Sequence, residues 1–144
     1  MKKYSITAEN NDFTIFYRFS TTGQGESSDE DPNAQIVSID IDKEKKSLVI
    51  SVDNIRQDDL MSIRFSQELI SAEGKKLILL IDGKEKGYET NTQDDKRTMI
   101  FVLPANAQQV EIVGTKVIPE FLSAILTLIV VTSSVIIIQK TRKP

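Results

Sequence analysis

Short apolar runs set the rhythm of this chain. FTIFYRF (13–19) is aromatic and β-branched. QIVSIDID (35–42) alternates, with Ile36, Ser38, Asp40 and Asp42 against Val37, Ile39 and Ile41. SLVISVD (47–53) alternates too and sets Leu48, Ile50 and Val52 on one face. LMSIRF (60–65), KLILLID (76–82), RTMIFVL (97–103) and QVEIVGT (109–115) complete the set. Turn residues recur every 8–14 positions and helical periodicity is weak, so these runs predict strands. The fold class they predict is all-β, a small antiparallel β-sandwich occupying residues 1–116. Asp82-Gly83 is a hairpin signal, with KGYET (86–90) as the expected return strand. SQELISA (66–72) is the one stretch predicted to form a helical turn, with Ser66 as N-cap and Leu69 and Ile70 facing the core.

The pattern changes at residue 117. The segment 117–144 reads VIPEFLSAILTLIVVTSSVIIIQKTRKP, and 121–139 is a run of 19 residues without a charge. As an α-helix it rises about 28 Å, close to the hydrocarbon thickness of a bilayer. A core strand would be far shorter, about 5–6 residues. One C-terminal transmembrane α-helix is therefore predicted. Lys140, Arg142 and Lys143 follow it in the basic tip 140–144.

Charge divides the chain at the same place. The 144 residues hold 18 basic and 21 acidic side chains, a net charge of −3. No acid follows Glu120, so residues 1–120 carry 15 basic against 21 acidic groups, a net −6. An acidic body argues against nucleic acid as a partner, because phosphate binding asks for a concentrated basic patch. Cysteine and histidine are both absent. That excludes disulfides, thiolate metal sites, Cys nucleophiles and every Ser–His arrangement. Carboxylates are many but nothing selects an acid–base pair, and there is no Trp. The chain is accordingly read as a non-enzyme, and no cofactor is expected. No Asn-x-Ser/Thr sequon occurs.

TTGQGESSDEDPNA (21–34) is the one long loop, acidic and rich in turn formers. A solvated, mobile loop is the plain reading. A calcium loop is the alternative, with Asp29, Glu30, Asp31 and Asn33 as hard oxygen donors, although EF-hand spacing is lacking. Asp40, Asp42 and Glu44 are expected on one wet strand face, and Asp94-Asp95 in a turn.

The amino terminus opens on two lysines like a signal peptide, but no uninterrupted apolar stretch follows before ENND. Either the chain has no cleaved signal or its true start lies upstream. The basic tip places the C-terminus in the cytoplasm and the β domain outside. The competing topology is a tail-anchored protein with a cytosolic β domain.

VEIVGTKVIPEF (110–121), followed by a hydrophobic helix and a basic tip, resembles the sorting region of PEFG-CTERM surface proteins of ammonia-oxidising archaea. The similarity continues upstream through IVSIDIDKEKKSLVISVD (36–53), LMSIRFSQELISA (60–72), LILLIDGKEKGYE (77–89) and RTMIFVLP (97–104). It thus covers roughly residues 13–144. The family motif continues with Gly, where this chain has Leu122. The resemblance implies export and handling by an archaeosortase, a membrane-embedded cysteine transpeptidase. That enzyme would recognise Pro119, Glu120 and Phe121, cleave nearby and pass the new C-terminus to a membrane anchor. Independently of the family, Pro119 lacks a donor and holds Ile118 extended, so helix cannot run back into the β domain. Glu120 resists entering lipid and fixes the outer end of the span.

The sequence thus predicts a membrane-anchored cell-surface protein whose partners are a lipid bilayer and an archaeosortase-like processing enzyme. A calcium- or protein-binding module on the same architecture is the alternative use of the β domain.

Overall fold

The computed structural model describes residues 1–20, 34–73 and 76–117. Among these there is no helix, and every strand pairing is antiparallel. The strands are β1 (Lys2–Ala8), β2 (Asn11–Phe19), β3 (Gln35–Asp42), β4 (Ser47–Asp53), β5 (Asp59–Ser66) and β6 (Ile70–Ser71). They continue with β7 (Ile78–Ile81), β8 (Lys84–Lys86), β9 (Glu89–Gln93), β10 (Lys96–Leu103), β11 (Gln109–Val113) and β12 (Lys116–Val117).

Two five-stranded sheets form the body. The first has the order β1-β2-β5-β10-β9 and the second β3-β4-β11-β7-β8. β6 and β12 pair separately as a two-stranded ribbon. The alternation of each strand decides which side is buried. In the first sheet Ile15, Tyr17, Met61, Ile63, Phe65, Met99 and Phe101 are all in the core. In the second, Leu48, Ile50, Leu79, Ile81, Val110 and Ile112 join the same cluster. One apolar core between two sheets makes the domain sandwich-like.

The sides of this body can be matched between sheets. Edge strands β8 and β9 are joined by Gly87 and Tyr88 alone, which holds them on one side. On the other side Lys43, in the β3–β4 turn, pairs with Glu9, in the β1–β2 turn, at 3.6 Å. β1 therefore lies on the β3 side, and β9 on the β8 side.

All seven apolar runs form strands, with changed details. Val37 sits in a β-bulge, where the β3–β4 register shifts between Ile36 and Ser38. The extra residue reverses the alternation, so Ile36 and Ile39 both turn inward and Val37 is 57% exposed. Ile36 therefore does not share a face with Ser38, Asp40 and Asp42. The Asp82-Gly83 hairpin forms with both residues at positive φ, as a two-residue primed turn requires. Its return strand is β8, directly after the turn, and not 86–90, where the chain crosses to the first sheet.

No helix forms over 66–72, but a single turn closes at its start, where Leu69 N donates to Ser66 O at 3.1 Å. Ser66 Oγ does accept a backbone bond, from Glu68 N at 3.1 Å, but it closes a short turn. Leu69 and Ile70 are buried as expected. Pairing of Ile70 and Ser71 with β12 takes the backbone groups that a helix would have used. Glu44 lies in the β3–β4 turn rather than on the strand face of Asp40 and Asp42. β1 was not foreseen. It forms a hairpin with β2 through Glu9 and Asn10, both at positive φ.

Candidate interaction faces

Where the inner faces are apolar, the outer faces carry the chemistry. Register gathers one row across all five strands of the first sheet. Lys3 pairs with Phe16, Phe16 with Arg64, Arg64 with Thr98 and Thr98 with Asn91. Lys96 and Arg18 lie one step to either side, opposite Ser66 and Ser62. Phe16 is half-buried beneath two ammonium groups, Lys3 Nζ at 5.7 Å and Lys96 Nζ at 5.5 Å from its ring centre. Each such contact contributes about 0.5–1 kcal/mol at an exposed site. Arg64 Nε donates to Thr98 Oγ1 at 3.2 Å, which orients the guanidinium over the sheet. Lys3, Arg18, Arg64 and Lys96 are all exposed. A cross-strand apolar pair, Leu60 and Val102, extends the face; they are 46% and 58% exposed. Acids share this face: Asp12 on β2, whose Oδ1 accepts from Thr7 Oγ1 at 2.7 Å, Glu89 on the edge strand β9, and Asp94 and Asp95 in the β9–β10 turn, which line one hollow with Arg64, Lys96 and Thr98.

The second sheet carries the opposite sign. Its central outer row runs Asp40, Val49, Glu111, Leu80, Glu85, again one residue from each strand. The next row starts at Asp42, which pairs with Ser47. Glu111 is the lowest-lying acid, and Ser47 Oγ donates to its Oε1 at 2.9 Å. No Lys or Arg has the facing parity on these five strands.

A third feature is a shallow cleft under the β8–β9 crossover, lined by Lys76, Leu77, Glu85, Lys86, Tyr88 and Arg97. The Tyr88 hydroxyl donates to the Leu77 carbonyl at 2.5 Å. Burial pushes the Tyr88 phenol above its ordinary pKa, and the Arg97 charge pulls it partly back. Arg97 Nε is shut off from solvent and has no hydrogen-bond partner. A ligand in the cleft could not reach this donor, so Arg97 Nε offers it no hydrogen bond.

The candidate residues read from the sequence fall elsewhere. Asp29, Glu30, Asp31 and Asn33 lie outside the described residues. So do Pro119, Glu120 and Phe121, the span 121–139, and Lys140, Arg142 and Lys143. Among the described residues no group of three or more acidic side chains is placed to hold a metal ion. Nor does any helix there have the length and apolarity to cross a membrane. Asp94 and Asp95 do form the β9–β10 turn, and Asp95 Oδ2 accepts from Ser66 Oγ at 2.9 Å.

Comparison with family models, curated proteins and solved structures found no match. The functional reading therefore rests on the chain itself. The basic and acidic faces were not legible in the sequence, because their members are scattered along it. Only strand register places residues 3, 16, 64 and 98 in one line. The signal available was the polar phase of each strand, read for charge instead of for wetness.

Proposed function

We propose that this chain is a non-enzymatic, membrane-anchored cell-surface protein of an archaeal cell, with its β domain used as a binding module. In this reading a small antiparallel β-sandwich is followed by one C-terminal transmembrane α-helix over 121–139. The β domain is extracellular and the C-terminus cytoplasmic before processing. The tail is the substrate of an archaeosortase-like enzyme, and Lys140, Arg142 and Lys143 set the direction of insertion.

The observation that carries this reading is the coincidence of three parts within 117–144: Pro119-Glu120-Phe121, the uncharged run and the basic tip. Pro119 restricts the residue before it to extended geometry, which suits presentation of the tripeptide to a transpeptidase. The described body adds a reason for display. The first sheet's outer face combines exposed cations, an aromatic ring and an apolar pair, a mixture suited to recognising an anionic surface.

The tail is tested by replacing Pro119, Glu120 and Phe121 with alanine and measuring intact mass in the producing cells. The native chain is expected to lack most of 121–144 and to carry the mass of an added anchor. The triple variant is expected to remain full length in the membrane. Identical, uncleaved masses for both would reduce the tail to a plain anchor and remove the processing enzyme from the account.

A further inference from the structure

The edge where β8 and β9 meet is built differently from the rest of the sandwich. Lys84 and Lys86 pair with buried Ile81 and Leu79, and Thr90 pairs with buried Met99, so register gives all three the inward phase. Thr92, two residues on from Thr90, shares it. All four are exposed. No apolar side chain of either edge strand seals the core here, and the cleft under the Gly87 and Tyr88 crossover lies at this edge. We propose that this cleft binds a phosphate monoester, with the oxyanion on Arg97, Lys86 and Lys76 and the organic part on Leu77 and the Tyr88 ring. The site is separate from the first sheet's outer face, and its failure leaves the reading of that face untouched.

Arg97 has the inward phase as well, since its β5 partner is Phe65, in the core. It is half-buried, lines the cleft and has its Nε shut in. Its two terminal nitrogens are therefore the donors a ligand meets. They form an end-on fork, which suits two oxygens of one oxyanion. Among the described residues, Arg97, Lys86 and Lys76 take part in no ion pair. Glu85 is the one acid lining the cleft among those residues, and its pairing with Leu80 gives it the outward phase. Three cations against one acid leave a surplus of two positive charges. A phosphate monoester carries about −1.5 to −2 at pH 7 and offers three acceptor oxygens. Partial burial strengthens the attraction, because the dielectric there is lower than in water.

The apolar part of the cleft is fixed. The Tyr88 hydroxyl commits its proton to the Leu77 carbonyl at 2.5 Å, which ties the ring to the buried Leu77. The cleft has a volume of about 420 Å³, inside the range of roughly 300–1,000 Å³ for small-molecule pockets. Gly87 helps to keep it open. A Cβ there would meet no atom within 4 Å, and its φ is not positive, so the backbone makes no demand for glycine. Inward lysines on an edge strand also discourage edge-to-edge pairing of sheets. That role asks for neither Arg97 nor a fixed ring, and it predicts no ligand.

The test is phosphorus NMR of phenyl phosphate titrated with the full chain in a non-ionic detergent at low salt. Saturable broadening is expected, with a Kd on the order of 1 mM, as befits so small a ligand. Inorganic phosphate lacks the ring and should bind roughly fivefold more weakly or worse. Lys76→Gln with Lys86→Gln is expected to weaken phenyl phosphate by roughly tenfold. Both lysines are exposed, so the melting temperature should not move. Gly87→Trp should give a similar loss by filling the cleft with every charge retained. Lys2→Gln with Lys45→Gln removes the same charge from exposed positions elsewhere and should stay within about twofold of wild type.

A soluble monoester and a lipid headgroup share this chemistry. Mixing phosphatidic acid, a monoester, or phosphatidylglycerol, a diester, into the detergent separates the two sources. Displacement of phenyl phosphate by phosphatidic acid alone identifies a headgroup, and displacement by neither identifies a soluble ester. No saturable binding to the wild-type chain would overturn the site. So would an equal loss in the Lys2/Lys45 variant, which would mean attraction by bulk charge. Inorganic phosphate binding as tightly as phenyl phosphate would overturn the assignment to an ester, since Leu77 and Tyr88 would then hold nothing.

Discussion

Phe65→Ala is expected to destabilise the β domain by about 3–5 kcal/mol, the range for emptying a buried aromatic site. Phe65 is 1% exposed and lies on β5, the middle strand of the first sheet. Strands hydrogen-bonded on both sides cannot slide inward to fill the space left by a ring, so the cavity persists. Small domains are stable by only about 5–15 kcal/mol, which makes this a large fraction of the whole. Thermal and denaturant unfolding of the full chain measures it. Phe65→Leu retains most of the buried volume and is expected to lose about half as much or less. Val102→Ser, on the exposed side of the neighbouring strand, should stay within about 0.5 kcal/mol of wild type. A Phe65→Ala chain as stable as the Val102→Ser chain would contradict the shared core.

Gly114→Ala is expected to cost about 2–3 kcal/mol through overpacking. A methyl group there would collide with the Ser71 carbonyl oxygen, and it would stand 3.0 Å from Ile70 Cγ1. The carbonyl is backbone and is already held, since Thr115 N donates to it at 3.0 Å. Gly114 N in turn donates to Lys46 O at 2.9 Å, and Glu73 N donates to Thr115 Oγ1 at 2.8 Å. Relieving the collision means prising β6 from β12, the ribbon that seats Val117 in the core just ahead of Pro119. Amide hydrogen exchange is the suited readout. Protection should fall first at Thr115 and Val117 and only later in β4 and β5. A uniform loss would mean that the ribbon is not a separate clasp.

How much of this was legible in the sequence depended on the strength of each local signal. β4 was plain, because Leu48, Ile50 and Val52 alternate with polar or half-buried neighbours and all point inward. β3 was found, but its facing was read one step out before the bulge at Val37, since a bulge changes pairing without changing composition. β1 was missed because it contributes only Ile6 to the core, and its paired lysines resemble the start of a leader. The stretch 66–72 has the spacing of a helical turn, and one capped turn does close at 66–69, but a waiting partner strand takes Ile70 and Ser71 into extended backbone. The two charged faces were invisible for a different reason. Each is a line drawn across five strands, and its members lie up to 95 residues apart, from Lys3 to Thr98. The signals in the tail are local and contiguous, and residues 118–144 lie outside those the structure describes.

Sidedness is the central claim, and lysine labelling on intact cells tests it most directly. A membrane-impermeant amine reagent meets exposed lysines on the body, among them Lys3, Lys43, Lys84 and Lys96, and two more in the tip, Lys140 and Lys143. Surface display predicts that the body lysines are modified on intact cells. Lys140 and Lys143 should stay unmodified until lysis where the tail is still present. Body lysines that react only after lysis, with Lys140 and Lys143 labelled on intact cells, would place the β domain in the cytosol and contradict the account.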